Sequence, residues 1–268
     1  ITLASQNSQM LKGGSNEPGF LEKRFKAFLS VPARYRLAFA ESVLPEVQRS
    51  GHSIAGVDPG FIESVFDHSL SMEIMAAREF WPINEFSREE KIALIRLVAR
   101  YHDITEAIIT DITVQDFNGY EEFDEQKLKD LFSQAGLDFD NYDLKNNLPV
   151  VAKDLKNMLE RLALKVLFEF APANSNEARV REALEHYDKK WETGDDAMIF
   201  VKILDVLEYL DRCMDHLACG HGNPDEYLHH LGVFREYFET RYDRFPILAV
   251  LKNEFDACER AFRPALHT

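Results

Sequence analysis

Cysteine is scarce in this chain of 268 residues, which carries only Cys213, Cys219 and Cys258. The number is odd and the Cys213/Cys219 spacing matches no common zinc pattern, so neither a disulfide framework nor a cysteine metal site is expected. The three read as ordinary thiols of a reducing compartment. Glycine and proline are also few, at 12 and 10, which leaves room for long uninterrupted helices. No run approaches the roughly 18 apolar residues that a membrane helix needs. Basic residues are outnumbered, 31 Lys and Arg against 46 Asp and Glu, for a formal net charge of −15. Such a chain has no broad attraction to nucleic acid polymers or anionic membranes. A small anionic substrate would need a local Arg or Lys and a metal. Alternating strand patterns, internal repeats and long linkers are all missing. The first residues, ITLASQNSQMLKGGSNEPG, lack the basic flank and apolar stretch of a signal peptide, so a cytoplasmic chain with a disordered tail over residues 1–19 is expected.

What is present is a large supply of core residues. Hydrophobic residues make up 46% and Phe alone numbers 20. The periodicity is helical throughout and predicts an all-α fold, with one helical domain over residues 20–268. Leu21, Phe25, Phe28 and Leu29 form one stripe that Pro32 ends. A second helix is expected over 33–47, then a loop over 50–60, where Gly, Pro59 and Asp58 favour turns. Ser64 is a candidate N-cap for a helix to about Phe80. Ser87 and Glu90 have the form of a capping box for a helix carrying Ile92, Ile95, Val98 and Ala99 inward to His102. Residues 103–112 continue it or start a short helix, and 113–124 is acidic loop. Further helices are expected at 124–136, 149–170, 176–190, 195–219, 224–241 and 246–262, with Asn223-Pro224 and Phe245-Pro246 marking breaks.

Three places put a metal-ligand residue where an apolar one belongs. His68 shares a face with Val65, Met72 and Met75. His102 continues the stripe of Ile95, Val98 and Ala99, and Asp103 follows it. Asp205 interrupts the apolar run KILDVLEYL. A buried lone carboxylate is costly unless it is paired or bound to a metal. Taken singly, each has a plainer explanation: a core histidine with a hydrogen bond, a chance His-Asp pair, an aspartate salt-bridged to Lys202 or Arg212. Together, two imidazoles and two carboxylates make a mixed set suited to Mn, Fe, Co, Ni, Zn or Mg.

The order His, His-Asp, Asp resembles the HD superfamily of metal-dependent phosphohydrolases. Within it, the closer likeness is to the bacterial YfbR-type 5′-nucleotidases, which act on deoxynucleoside monophosphates. Two segments carry the likeness: Glu63-Ser64-Val65-Phe66-Asp67-His68-Ser69, and His102-Asp103-Ile104-Thr105-Glu106 running on to Asp111. It is specific over about residues 61–112, plausible over 200–210 and weak elsewhere. The resemblance implies an HD-type helical bundle with additional C-terminal helices, and His68, His102, Asp103 and Asp205 as ligands of one divalent metal. It implies Glu106 and Asp111 as the acid–base carboxylates; Glu106, three residues from Asp103, shares its helix face. It further implies Arg49 as a phosphate clamp, because a guanidinium fork matches phosphate oxygens. His52 stands where the family has Trp against the sugar, and Thr110 stands where it usually has Gly. Lys202 is a further candidate for neutralising phosphate charge. One metal is favoured because His186 is the only histidine between the His-Asp pair and Asp205, whereas two-metal relatives carry extra ligands there.

The expected activity is therefore removal of the 5′-phosphate of a (deoxy)nucleoside monophosphate by metal-activated water, in a cytoplasmic protein that the family pattern makes a homodimer. Three alternatives stay open: a phosphodiesterase, a nucleoside triphosphohydrolase, or a non-catalytic HD binding module. The triphosphate reading wants more basic residues near the motifs, and periodicity puts most of Arg78, Arg88, Arg96 and Arg100 on outer faces. His221, His229 and His230 resemble a metal cluster but fall on an expected surface loop and helix, where they read as solvated.

Overall fold

The computed structural model describes residues 20–77, 89–111 and 148–265. The fold is all-α, and the described residues contain no strand. The expected tail, the Ser87 end of the capping box, the acidic loop and the helix at 124–136 lie outside the described residues. By contacts the chain divides into two compact units. One is built from residues 1–48 and 103–181, the other from 49–102 and 182–268.

In the first unit, α1 (Phe20–Ser30) is followed by a 3-10 turn (Ala33–Tyr35), α2 (Arg36–Val43) and a second 3-10 turn (Leu44–Glu46). What the periodicity suggested as a single helix over 33–47 is thus an α-helix between two 3-10 turns, the first preceded by Pro32 and the second containing Pro45. Leu21, Phe25 and Phe28 of α1 are buried as expected, but Leu29 is 48% exposed, one position too far round the helix to share their face. The short α6 (Glu106–Ile109) packs against α1, α2 and α7 (Leu148–Leu167). Its last carbonyls are held by a buried arginine: Arg24 donates from Nε to Ile108 O at 2.8 Å and from Nη2 to Ala107 O at 2.6 Å. Orphan carbonyls at a helix C-terminus are thereby satisfied without water.

The second unit is organised around α10 (Asp196–Ala218), which packs against α4 (Val65–Ala77), α5 (Glu89–Tyr101) and α12 (Ala249–Ala265). Asp195 caps α10, accepting from the Ala197 and Met198 backbone N–H groups. Ile199, Ile203, Val206 and Leu210 are buried, as are Val201 and Leu204 on other faces. A helix apolar around most of its girth becomes the centre of its unit. Around it also pack α11 (Pro224–Glu239), started by an Asn223 cap with Pro224 in its first turn, and a 3-10 turn at Pro246–Leu248. Helices α8 (Asn176–Asp188) and α9 (Lys190–Thr193) precede α10 in the chain.

The expected loop at 50–60 begins as a helix, α3 (Ser50–Ile54). Gly51 permits this, since a Cβ there would press on the Tyr209 ring at 3.2 Å. Gly56, at φ 75°, then ends it in a conformation that costs glycine nothing. The expected Ser64 cap of α4 is present and reciprocal. Ser64 Oγ accepts from the Asp67 N–H at 3.1 Å, while Asp67 Oδ2 accepts from the Ser64 hydroxyl at 2.7 Å. Among the described residues no helix is long and apolar enough to cross a membrane.

Candidate metal centre

His68 lies on the inward face of α4 between Val65 and Met72 and has no exposed surface. His102 follows the last residue of α5, where the buried stripe of Ile95, Val98 and Ala99 leads to it. Each imidazole is oriented through Nδ1. The Nδ1 of His68 is 2.6 Å from Glu208 Oε2, and that of His102 is 3.0 Å from the Ala99 carbonyl. This leaves both Nε2 atoms turned to the Asp205 carboxylate, whose Oδ1 lies 3.3 Å from His68 Nε2 and 4.0 Å from His102 Nε2. The other oxygen of Asp205 accepts from the Lys202 ammonium one turn earlier on α10. Asp103 is the next residue after His102, and a ligand atom from each of His68, His102 and Asp103 lies within 4.8 Å of the other two. These three form a cluster that could bind a metal, and Asp205 faces the same two imidazoles. Two nitrogens with carboxylate oxygen is a donor set that fits a borderline divalent cation.

The electrostatics ask for positive charge. Burial opposes ionisation of Asp205, yet Lys202, His68 and His102 together hold it well below the ordinary carboxylate range. Burial and the nearby Arg49 work against a charged His68, but its bonds to Asp205 and Glu208 outweigh them and raise it to about 9. A group of carboxylates that draws a proton onto an imidazole would also favour a divalent cation.

A second set of potential ligands, Glu63, His68 and Glu208, also clusters closely. Its positive partner is already there: Arg212 Nε is 2.8 Å from Glu63 Oε2 and 3.1 Å from Glu208 Oε1. This is an arginine-bridged carboxylate pair that supports the first group from behind. Burial and the neighbouring Glu208 push Glu63 up to about 7 despite Arg212.

The remaining sequence-derived candidates fall in different settings. Arg49 precedes α3, donates its backbone N–H to Glu63 O at 3.1 Å, and places Nη2 3.9 Å from Asp205 Oδ1. Lys202 pairs with Asp205. His52 is fully buried, stacked on Tyr209 with ring centroids 4.9 Å apart and edge-on to His216 at 4.8 Å. Burial and the charge of Arg49 push its imidazole down to about 3, so it sits in the core as a neutral ring rather than at a solvent-facing surface. Glu106 and Asp111 belong to the first unit, around Lys156. Lys156 Nζ lies 3.9 Å from Glu106 Oε1 and 3.9 Å from Glu160 Oε1. Burial alone would depress the Lys156 ammonium, but Glu106, Asp111, Glu160 and Asp103 hold it above its ordinary value. Arg96 and Arg100 pair with Glu73. His186 pairs with Asp195, His221 stacks on Phe61, and His230 Nδ1 meets the Tyr209 hydroxyl.

Sequence reasoning passed over Lys156, Glu63, Glu208 and Arg212 as functional groups. Two had a visible signal. Lys156 is in register with the buried Leu159, Ala163 and Val166 of α7, and Glu208 lies three residues after Asp205 in the same apolar run. Models of known protein families give no match to this chain, and no curated protein matches it either.

Proposed function

We propose that the chain is a metal-dependent phosphohydrolase of the HD type, which removes the 5′-phosphate of a (deoxy)nucleoside monophosphate. One observation carries the reading: the imidazoles of His68 and His102 turn their Nε2 atoms to a single oxygen of Asp205, which lies 3.3 and 4.0 Å from them, while Asp103, the residue after His102, has a ligand atom within 4.8 Å of one from each imidazole. Residues spaced as in the HD pattern thus offer a mixed nitrogen and oxygen donor set. His68, His102, Asp103 and Asp205 would hold one divalent ion of the group Mn, Co, Mg, Zn, Ni and Fe. That ion would supply Lewis-acid activation of water and of a phosphoryl oxygen.

The protein's own groups do the rest. Arg49 has its guanidinium next to Asp205 and mostly shielded from water, where it would neutralise the phosphate dianion and orient it. Glu106 and Asp111 are assigned proton transfer, one taking the proton of the attacking water and one delivering a proton to the leaving alkoxide. Lys156 keeps Glu106 in place and its surroundings electrically balanced. Attack is in line, with water and not a side chain as the nucleophile.

The test is phosphate release from a panel of nucleoside monophosphates, by chain stripped with a chelator and resupplied with Mn, Co, Mg or Zn. Metal-dependent release from at least one monophosphate is expected. Asp111→Asn should lower turnover by about 100-fold or more while leaving metal affinity near that of the unmodified chain. No release with any metal and any monophosphate would overturn the activity, and an Asp111→Asn variant of full activity would remove Asp111 from the chemistry.

A further inference from the structure

A histidine that binds a metal through Nε2 must carry its proton on Nδ1, and the group that accepts that proton fixes both the tautomer and the ring's aim. For His68 that group is Glu208. Its Oε2 lies 2.6 Å from Nδ1, and both side chains are almost entirely removed from solvent, at 0% and 2% exposure. Glu208 is itself anchored. Its other oxygen accepts from Arg212 Nε at 3.1 Å, one turn further along α10, and the same Nε lies 2.8 Å from Glu63. Glu63 is tied in turn to the segment before α3 through its carbonyl, which accepts the Arg49 N–H at 3.1 Å. Resting on the metal-site reading above, we infer that Glu208 is a positioning residue, which sets the tautomer and direction of His68 and is held in register by Arg212 and Glu63.

The arrangement explains why a glutamate occupies the apolar run of α10. Asp205 and Glu208 are three residues apart on one face, so a single rigid helix presents one carboxylate to Nε2 of His68 and the next to Nδ1. The ring is gripped at both nitrogens by groups that cannot move independently. A glutamine at 208 keeps the shape and still accepts from Nδ1, but it lacks the charge that makes the bond strong.

Glu208→Gln separates the roles. Circular dichroism and thermal unfolding should report a native fold, and titration with Mn or Co should report binding about 10–100-fold weaker than in the unmodified chain. In the metal-free unmodified chain, NMR of the imidazole protons should find a strongly deshielded, slowly exchanging His68 Nδ1 proton, which moves upfield in the variant. A variant that binds Mn and Co as tightly as the unmodified chain overturns the inference. If the unmodified chain takes up neither ion, the metal-site reading falls, and the His68 proton still decides the matter: its presence supports the Glu208 contact and its absence overturns it. The same measurement on the unmodified chain serves if Glu208→Gln does not fold.

Discussion

Thr110 sits at φ 65° with ψ 172°, directly before Asp111 and at the end of the short helix that carries Glu106. That backbone region is suited to glycine, and a β-branched residue there costs about 1–3 kcal/mol. Replacing Thr110 with Gly gives back about 0.5–1 kcal/mol through the greater freedom of the unfolded chain. The net should still favour Thr110→Gly by about 1 kcal/mol, read as a rise in melting temperature of a few degrees. A lower melting temperature would show that the turn stores no strain. At this scale the candidate ligands were legible because each interrupts an apolar stripe: His68 beside Val65 and Met72, His102 after Val98 and Ala99, Asp205 within α10. Their supporting groups were legible only in part. Glu208 interrupts the same apolar run as Asp205, but its partner His68 is 140 positions away in the chain, and no local pattern pairs the two. His52 shows the reverse. A polar residue in a Gly-rich stretch suggests a surface, yet packing encloses it between Tyr209 and His216.

Among the elements, α10 carries the most responsibility, because Lys202, Asp205, Glu208 and Arg212 all ride on it. Its start depends on the Asp195 side chain, which accepts from two backbone N–H groups in the first turn. Asp195→Ala should cost about 1 kcal/mol in urea unfolding, and Asp195→Asn, which keeps the capping oxygen, should cost much less. Equal losses in the two variants would point instead to the His186 ion pair. The course of these helices could be read from the sequence wherever a breaker stands at an end. Pro32, Asn223-Pro224 and Phe245-Pro246 mark boundaries within a residue or two. It was not legible where a short helix depends on tertiary contacts. The Ser50–Ile54 helix forms because Gly51 allows the chain to lie on Tyr209, a fact that no local pattern contains.

For the molecule as a whole, acid should be destabilising through a core histidine. Folded, His52 takes a proton only near pH 3; unfolded, it does so near 6.5. Between those values the unfolded chain binds the extra proton, so stability declines as pH falls through that window. Urea unfolding at several pH values from 6.5 to 4 should show a shallower decline in His52→Gln than in the unmodified chain, by up to about 1.4 kcal/mol per pH unit. Parallel declines would mean that His52 is protonated in the native state. The all-helical architecture was legible from periodicity and from the lack of alternating strands. Its division into two units was not, because each unit is assembled from two separate stretches of chain. That interleaving has a consequence for biosynthesis. A nascent polypeptide extended as far as residue 195 has already made both imidazoles, but the helix that bears Asp205 and Glu208 is still to be translated. The ribosome must therefore release most of the sequence before the candidate metal centre can form, and until then His68 has neither of the carboxylates that it meets in the fold.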